Sequence, residues 1–233
     1  MLPWKLANPV RSSIGMPEAL TQETVGRAAK LLARRDQDLA GILKRLGPPP
    51  LWARPPGFST LVQIILEQQV SLASAASLFA RLKRNVVPFR PARMLELGEA
   101  HLKASGLTRQ KTAYCLHLSE SLTEKRLQLS RLASMSDEDV KTALTQIKGL
   151  GNWSADVYLL MVLLRPDVFP ASDLALVTAV TELKQLPVRP NSNQLEETAQ
   201  AWRPYRSVAA RMLWQSYLAK RAEARKLAAD LRG

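Results

Sequence analysis

Few side chains in this sequence could do chemistry by themselves. Its one cysteine is Cys115, and its two histidines are His101 and His117. That count excludes a disulfide framework, a four-cysteine iron–sulfur cluster and a cysteine zinc site. Neither histidine has a partner pattern for a metal, so no metal or other cofactor is expected. Cys115 reads as a small buried apolar residue, and both histidines as structural or surface groups. Two features remain. One is the stretch Ile147-Lys148-Gly149-Leu150-Gly151-Asn152-Trp153-Ser154-Ala155. The other is Asp173, about twenty residues further on, in Pro170-Ala171-Ser172-Asp173-Leu174.

A glycine inside a continuous helix costs about 1 kcal/mol relative to alanine. Gly-Leu-Gly therefore reads as a break between two helices, a helix-hairpin-helix. Glycine accepts positive φ and leaves room for an approaching backbone. The free amides at the start of the second helix, aided by its dipole, form an anion site. Lys148, Gly149, Leu150, Gly151 and Asn152 are the candidate contacts to a phosphate. The plain alternative is an ordinary αα-hairpin. For Asp173 the plain alternative is an N-cap, worth about 1 kcal/mol.

The elements that would position these residues are helical. Val25, Ala28, Ala29, Leu32, Leu39, Ile42, Leu43 and Leu46 keep helical spacing between Pro17 and Leu46. Gly47 to Gly57 is a stiff proline-rich connector. Phe58, Leu61, Val62, Ile65 and Leu66 mark one short helix, and Leu72, Ala75, Ala76, Phe79 and Leu82 the next. Ser71 is placed to cap that next helix. Further helices are expected over Pro91–Ser105, from Thr108 to about Lys125, from Ser136 to about Ile147, and over Trp153–Leu164. One more opens at Asp173, and a long basic helix follows Pro204. Alternating strand patterns are nearly absent, so the fold class is all-α.

The formal net charge is +13 over 233 residues. A compact protein this basic meets nucleic acid more often than an anionic membrane. The longest strongly apolar run, Val157 to Leu164, is too short to span a bilayer. The first residues lack the apolar core of a signal peptide. A single cysteine suits a reducing compartment. These points lead to an expectation of a cytoplasmic or nucleoid-associated monomer with no membrane partner.

Hairpin, apolar helix, proline loop and aspartate in this order resemble the helix-hairpin-helix–Gly/Pro–Asp superfamily of DNA glycosylases. Within it the chain is most similar to the bacterial 3-methyladenine DNA glycosylase II, or AlkA-type, group. Five segments carry the resemblance: FSTLVQIILEQQVSLASAASLFARL from Phe58, GLTRQKTAYCLHLSESL from Gly106, IKGLGNWSADVYLLM from Ile147, PASDLAL from Pro170 and WRPYRSVAARMLW from Trp202. The resemblance implies two helical lobes flanking a DNA-binding cleft. A loose arm over 1–16 would precede the glycosylase domain, 17–233. Lobe one would cover about 58–166, and lobe two 17–57 plus 167–233. The region before Phe58 is too short for the β-rich N-terminal domain of larger relatives.

The resemblance also implies roles. Asp173 matches the catalytic aspartate, and Gly149 and Gly151 the phosphate-binding turn. Gln69, with Gln68 beside it, falls where the family inserts a wedge into the base stack. Trp153, Trp214 and Val157 fall at base-pocket positions, with core packing as the alternative for each tryptophan. The lyase branches of the superfamily carry a nucleophilic lysine where this chain has Trp153, and Lys148 is out of register with it. Glu67 and Lys148 depart from the glycine and proline frequent at their positions, and Val157 from a position that can be aromatic. The implied activity is hydrolytic excision of alkylated purines from double-stranded DNA without a lyase step. A non-catalytic DNA-binding module and a glycosylase for hypoxanthine or ethenoadenine are the alternatives. The final basic run from Leu218 reads as a solvated helix face, with DNA contact the lesser reading.

Overall fold

A computed structural model describes residues 18–230, and among them every regular element is helical. These are α1 (Gln22–Arg35), α2 (Gln37–Leu46), α3 (Phe58–Glu67), α4 (Leu72–Asn85), α5 (Pro91–Ala104), α6 (Arg109–Thr123) and the single turn α7 (Leu129–Leu132). They are followed by α8 (Asp137–Thr145), α9 (Asn152–Met161), α10 (Leu174–Leu183), α11 (Ser192–Ala199), a 3₁₀ turn (Gln200–Trp202) and α12 (Arg206–Asp230). The arm expected over residues 1–16 lies outside the described residues. Among the described residues, no helix is long and apolar enough to cross a membrane.

The helices bury two hydrophobic cores. Elements α3 to α9 build the first, around Leu61, Ile65, Leu82, Met94, Leu118, Leu144 and Tyr158. Elements α1, α2 and α10 to α12 build the second, around Val25, Leu39, Val180, Leu195, Trp202 and Leu213. Phe58, Thr60, Leu61, Val62, Ile64, Ile65 and Leu66 of α3 are all buried. That helix therefore runs through the first core instead of lying across it. The cores meet at the end of α9, where Leu160 joins the second core and Met161 packs against both.

Polar contacts fasten that junction. Arg211 is 0% exposed. Its guanidinium donates to the carbonyls of Leu51 (2.9 Å), Ser207 (3.0 Å) and Leu160 (2.6 Å). One cation thus ties α12 to the connector and to α9, while burial lowers its pKa to about 10. The Leu20 amide donates to Leu164 O and the Arg54 amide to Met161 O, both at 2.8 Å.

Some element boundaries differ from the sequence reading. The segment 22–46 is two helices, because the Asp36 Oδ1 caps α2 by accepting from the amides of Asp38 and Leu39. Asp36 Oδ2 also accepts from Trp202 Nε1 at 2.9 Å, a tertiary contact that pins the break. Gly98 kinks α5 at φ +70°. The short helix α7 and α11 were not anticipated. Asn191 and Gln194 form a capping box at the start of α11, a signal present in the sequence. Helix α9 stops at Met161, three residues early, and Leu164 turns left-handed at φ +54°.

Candidate active site

The hairpin between α8 and α9 is held by shape as much as by glycine. Gly149 has φ +95°, and a Cβ there would stand 2.2 Å from Tyr114 Cγ. Both facts require glycine. Leu150 is 1% exposed and anchors the turn in the first core. Gly151 is different. Its backbone is extended, at φ −90° and ψ −173°, and nothing lies within 4 Å of a Cβ built on it. It caps α9 with no side-chain hydrogen bond.

The same turn is built a second time, between α5 and α6. Gly106 also has φ +95°, and Leu107, 5% exposed, anchors that turn. There the N-cap is Thr108, whose hydroxyl accepts from the Lys111 amide at 3.2 Å. The two turns differ most where the second glycine stands, and only the α8–α9 turn leaves its helix start without a side-chain cap.

Helix α6 braces the hairpin from behind. Tyr114 packs on Gly149, and His117 Nδ1 accepts from the Lys148 amide at 3.1 Å. An accepting Nδ1 puts the proton of the neutral ring on Nε2. His117, read from sequence as structural or surface, is thus tied to the turn. Lys148 and Asn152 are exposed beside it. Across the hairpin, Lys141 Nζ lies 2.7 Å from Asp156 Oδ1. Burial raises the Asp156 pKa, and the lysine only partly offsets this.

Asp173 starts α10. Its Oδ1 accepts from the amides of Ala175 (2.9 Å) and Leu176 (3.0 Å), so the N-cap reading holds. The same carboxylate has two further partners. Trp214 Nε1 donates to Oδ1 at 3.1 Å, and Trp153 Nε1 donates to Oδ2 at 2.8 Å. The two tryptophans, sixty-one positions apart, converge on one carboxylate through their indole N–H groups. Oδ1 takes three donors and Oδ2 takes one. A carboxylate oxygen offers about two lone-pair positions, so Oδ2 is the oxygen with capacity to accept another proton donor. Trp153 is half-buried, and Trp214 is 8% exposed. Leu174, passed over in the sequence, stands next to Asp173 and is 72% exposed.

Two sequence expectations change. Val157 is 2% exposed inside the first core, so it forms no open wall of a base pocket. Gln68 is not free to insert anywhere: its Nε2 donates to Gly149 O (2.7 Å) and Ser154 Oγ (3.0 Å). Gln69 is exposed and has φ +56°. A left-handed non-glycine residue at a loop tip is a mark of functional sites.

Residues 62–204, more than half of the chain, match the family described as HhH-GPD superfamily base excision DNA repair protein. The chain is 30% identical over 167 residues to the Bacillus subtilis protein YfjP, covering 68% of this chain and 58% of that protein. It is 27% identical over 163 residues to DNA-3-methyladenine glycosylase 1 of Schizosaccharomyces pombe, covering 68% of this chain and 72% of the relative. The solved structure of the S. pombe 3-methyladenine DNA glycosylase Mag1 in complex with abasic DNA superposes with a TM-score of 0.75 at 24% identity, covering 81% of this chain and 95% of that one. The protein belongs to the HhH-GPD superfamily of base excision DNA repair proteins.

Proposed function

We propose that this protein is a monofunctional DNA glycosylase that removes alkylated purines, of the 3-methyladenine and 7-methylguanine type, from double-stranded DNA. The observation that carries the reading is the Asp173 carboxylate, held by the Trp153 and Trp214 indoles beside the open hairpin. Phosphate binding alone needs neither tryptophan nor the aspartate. This favours an enzyme over a binding module.

The hairpin amides at Gly151 and Asn152, with Lys148, grip the DNA backbone between the two helical lobes. The damaged nucleotide rotates out of the stack at a cost of a few kcal/mol. Gln69, at the exposed loop tip, fills the space left behind. An alkylated purine carries positive charge, which an electron-rich indole face attracts. With both indole N–H groups engaged by Asp173 and Trp214 packed in the second core, the half-buried Trp153 ring is the face left for the base.

The cationic base leaves as a neutral purine and takes the electrons of the C–N bond. The sugar becomes oxocarbenium-like, and Asp173 stabilises that charge. Water then attacks C1′, and Oδ2 is the oxygen suited to receive its proton. No amine stands in the position that would form an imine with the sugar, because Trp153 fills it.

The test compares wild type with Asp173→Asn on methylated duplex DNA and measures the bases released. The variant retains an N-cap but presents a donor where Trp153 also donates. Release by wild type and loss in the variant are expected, with binding retained. No release by wild type favours the binding module. Trapping of a covalent imine to abasic DNA under borohydride would overturn the monofunctional assignment.

A further inference from the structure

The α3–α4 connection is tethered everywhere except at its tip. Lys111 Nζ donates to Leu66 O at 2.7 Å. Arg54 and Gln63 hold the Glu67 carboxylate at 2.8 and 2.9 Å. Ser71 caps α4 by accepting from the Ser74 amide at 3.1 Å. Gln68 makes the tether that reaches furthest. Its two acceptors, Gly149 O and Ser154 Oγ, lie 81 and 86 positions away, on the turn and first helical turn of the hairpin. Ser154 is 2% exposed, so the contact is shielded from water. Gln69 follows at φ +56°, and Val70, 45% exposed, follows that.

We propose that Gln68 is a positioning strut. It fixes the inserting tip, Gln69–Val70, at a set distance from the phosphate-binding turn. Capture of the backbone by the turn then brings the tip onto the base stack as one rigid unit. The carboxamide is suited to this because a single nitrogen bridges a backbone carbonyl and a buried hydroxyl, so two bonds must break before the tip can drift. The left-handed Gln69 backbone is held by the same contacts, since an unfavourable φ persists only where the surroundings over-determine it. This proposal rests on the glycosylase reading above and adds a role for a side chain that touches neither base nor sugar.

The decisive variant is Gln68→Met, which keeps length and loses both donors. Single-turnover release of 7-methylguanine is measured in two duplexes, with the lesion paired to cytosine and with it mismatched. Extrusion is cheapest for a mismatched base. In the paired duplex the variant slows release by about 10- to 100-fold, the size expected when a reacting group is displaced by about 1 Å. In the mismatch the variant's rate recovers toward that of wild type, while duplex affinity changes little. Gln69→Ala reproduces this pattern, and the double variant is no slower than the slower single one, because both changes remove the same step.

Equal loss in both duplexes, no loss in either, or additive losses with Gln69→Ala overturns the strut. If Gln68→Met melts below the assay temperature, Ser154→Ala removes one tether, and the same dependence on pairing is expected with a smaller loss. A 2-aminopurine placed opposite an abasic analogue reports insertion without chemistry. If wild type releases no base, the glycosylase reading fails, yet a smaller fluorescence change in Gln68→Met than in wild type still supports the strut, and an equal change overturns it.

Discussion

Trp153 and Asp173 are joined by a 2.8 Å hydrogen bond from the indole Nε1 to Oδ2, across the loop that links α9 to α10. The bond makes the hairpin helix part of the carboxylate's support. A side chain placed by the α8–α9 turn therefore also sets the direction in which Asp173 points.

Trp153→Phe keeps an aromatic ring and removes that donor. Base release is expected to fall by about 10- to 100-fold, as for other small misplacements of a reacting group. The melting temperature and duplex affinity should change little. A variant as active as wild type would mean that Oδ2 is oriented by its other surroundings.

The two hairpin glycines should separate stability from binding. Gly149→Ala places a Cβ 2.2 Å from Tyr114 Cγ at φ +95°, and is expected to destabilise the fold by about 1–3 kcal/mol. Gly151→Ser has open space and extended backbone. Its hydroxyl can cap α9 as Thr108 caps α6, with stability unchanged or raised by about 0.2–0.5 kcal/mol. DNA affinity should nonetheless drop by about 10- to 100-fold, because the added side chain stands between a phosphate and the Gly151 and Asn152 amides, and a hydrogen bond to a charged group is worth about 1.5–3 kcal/mol. Thermal melts and duplex titrations of the two variants decide the point. Equal DNA affinity for Gly151→Ser and wild type would remove the amides from the binding surface.

Arg211→Met retains the apolar stem and takes the guanidinium donors from the buried carbonyls of Ser207 and Leu160 and the part-buried carbonyl of Leu51. A loss of about 2–5 kcal/mol is expected in chemical denaturation, since orphaned buried acceptors are expensive. Arg211→Lys should recover little of it, because a compact ammonium cannot span the carbonyls of Leu51, Ser207 and Leu160 as a planar fork does. Wild-type denaturation midpoints in both variants would show that the α9–α12 junction is held by apolar packing alone.

Asp156 makes a pH prediction. Its pKa is raised, first by burial, with the Lys141 ammonium opposing. The folded chain therefore binds this proton more tightly than the unfolded chain does. Its contribution to stability is fully present below the unfolded pKa and is lost as pH rises through the raised folded value. The stability of wild type relative to Asp156→Asn should decrease over that acid window. Urea denaturation at a series of pH values measures it. An increase with pH would show that the pairing with Lys141 outweighs the burial.

Local signals in the sequence were enough to place most helices. Apolar spacing located α3 and α4, and Ser71, Thr108 and Ser136 cap their helices by accepting from the amides of Ser74, Lys111 and Asp139. Gly149 was readable because a tight turn between two helices demands a residue without Cβ, a local requirement, whereas the burial of Leu150 in the first core was not read from the sequence. The break at Asp36 was missed because its stabilising partner, Trp202, lies 166 positions away. The kink at Gly98 was missed for lack of any flanking turn residue.

By itself the sequence determined an all-α fold class, a glycine turn between two helices, and an aspartate able to cap a helix. These depend on backbone preferences and on neighbours within a turn or two. Tertiary structure decided what those residues do together. It turned Trp153 and Trp214 toward one carboxylate, moved Val157 into a core, and attached Gln68 to the hairpin instead of leaving it free. The reason is physical: a hydrogen bond between helices depends on how both pack, and packing sums many weak long-range contacts that no short stretch of sequence contains.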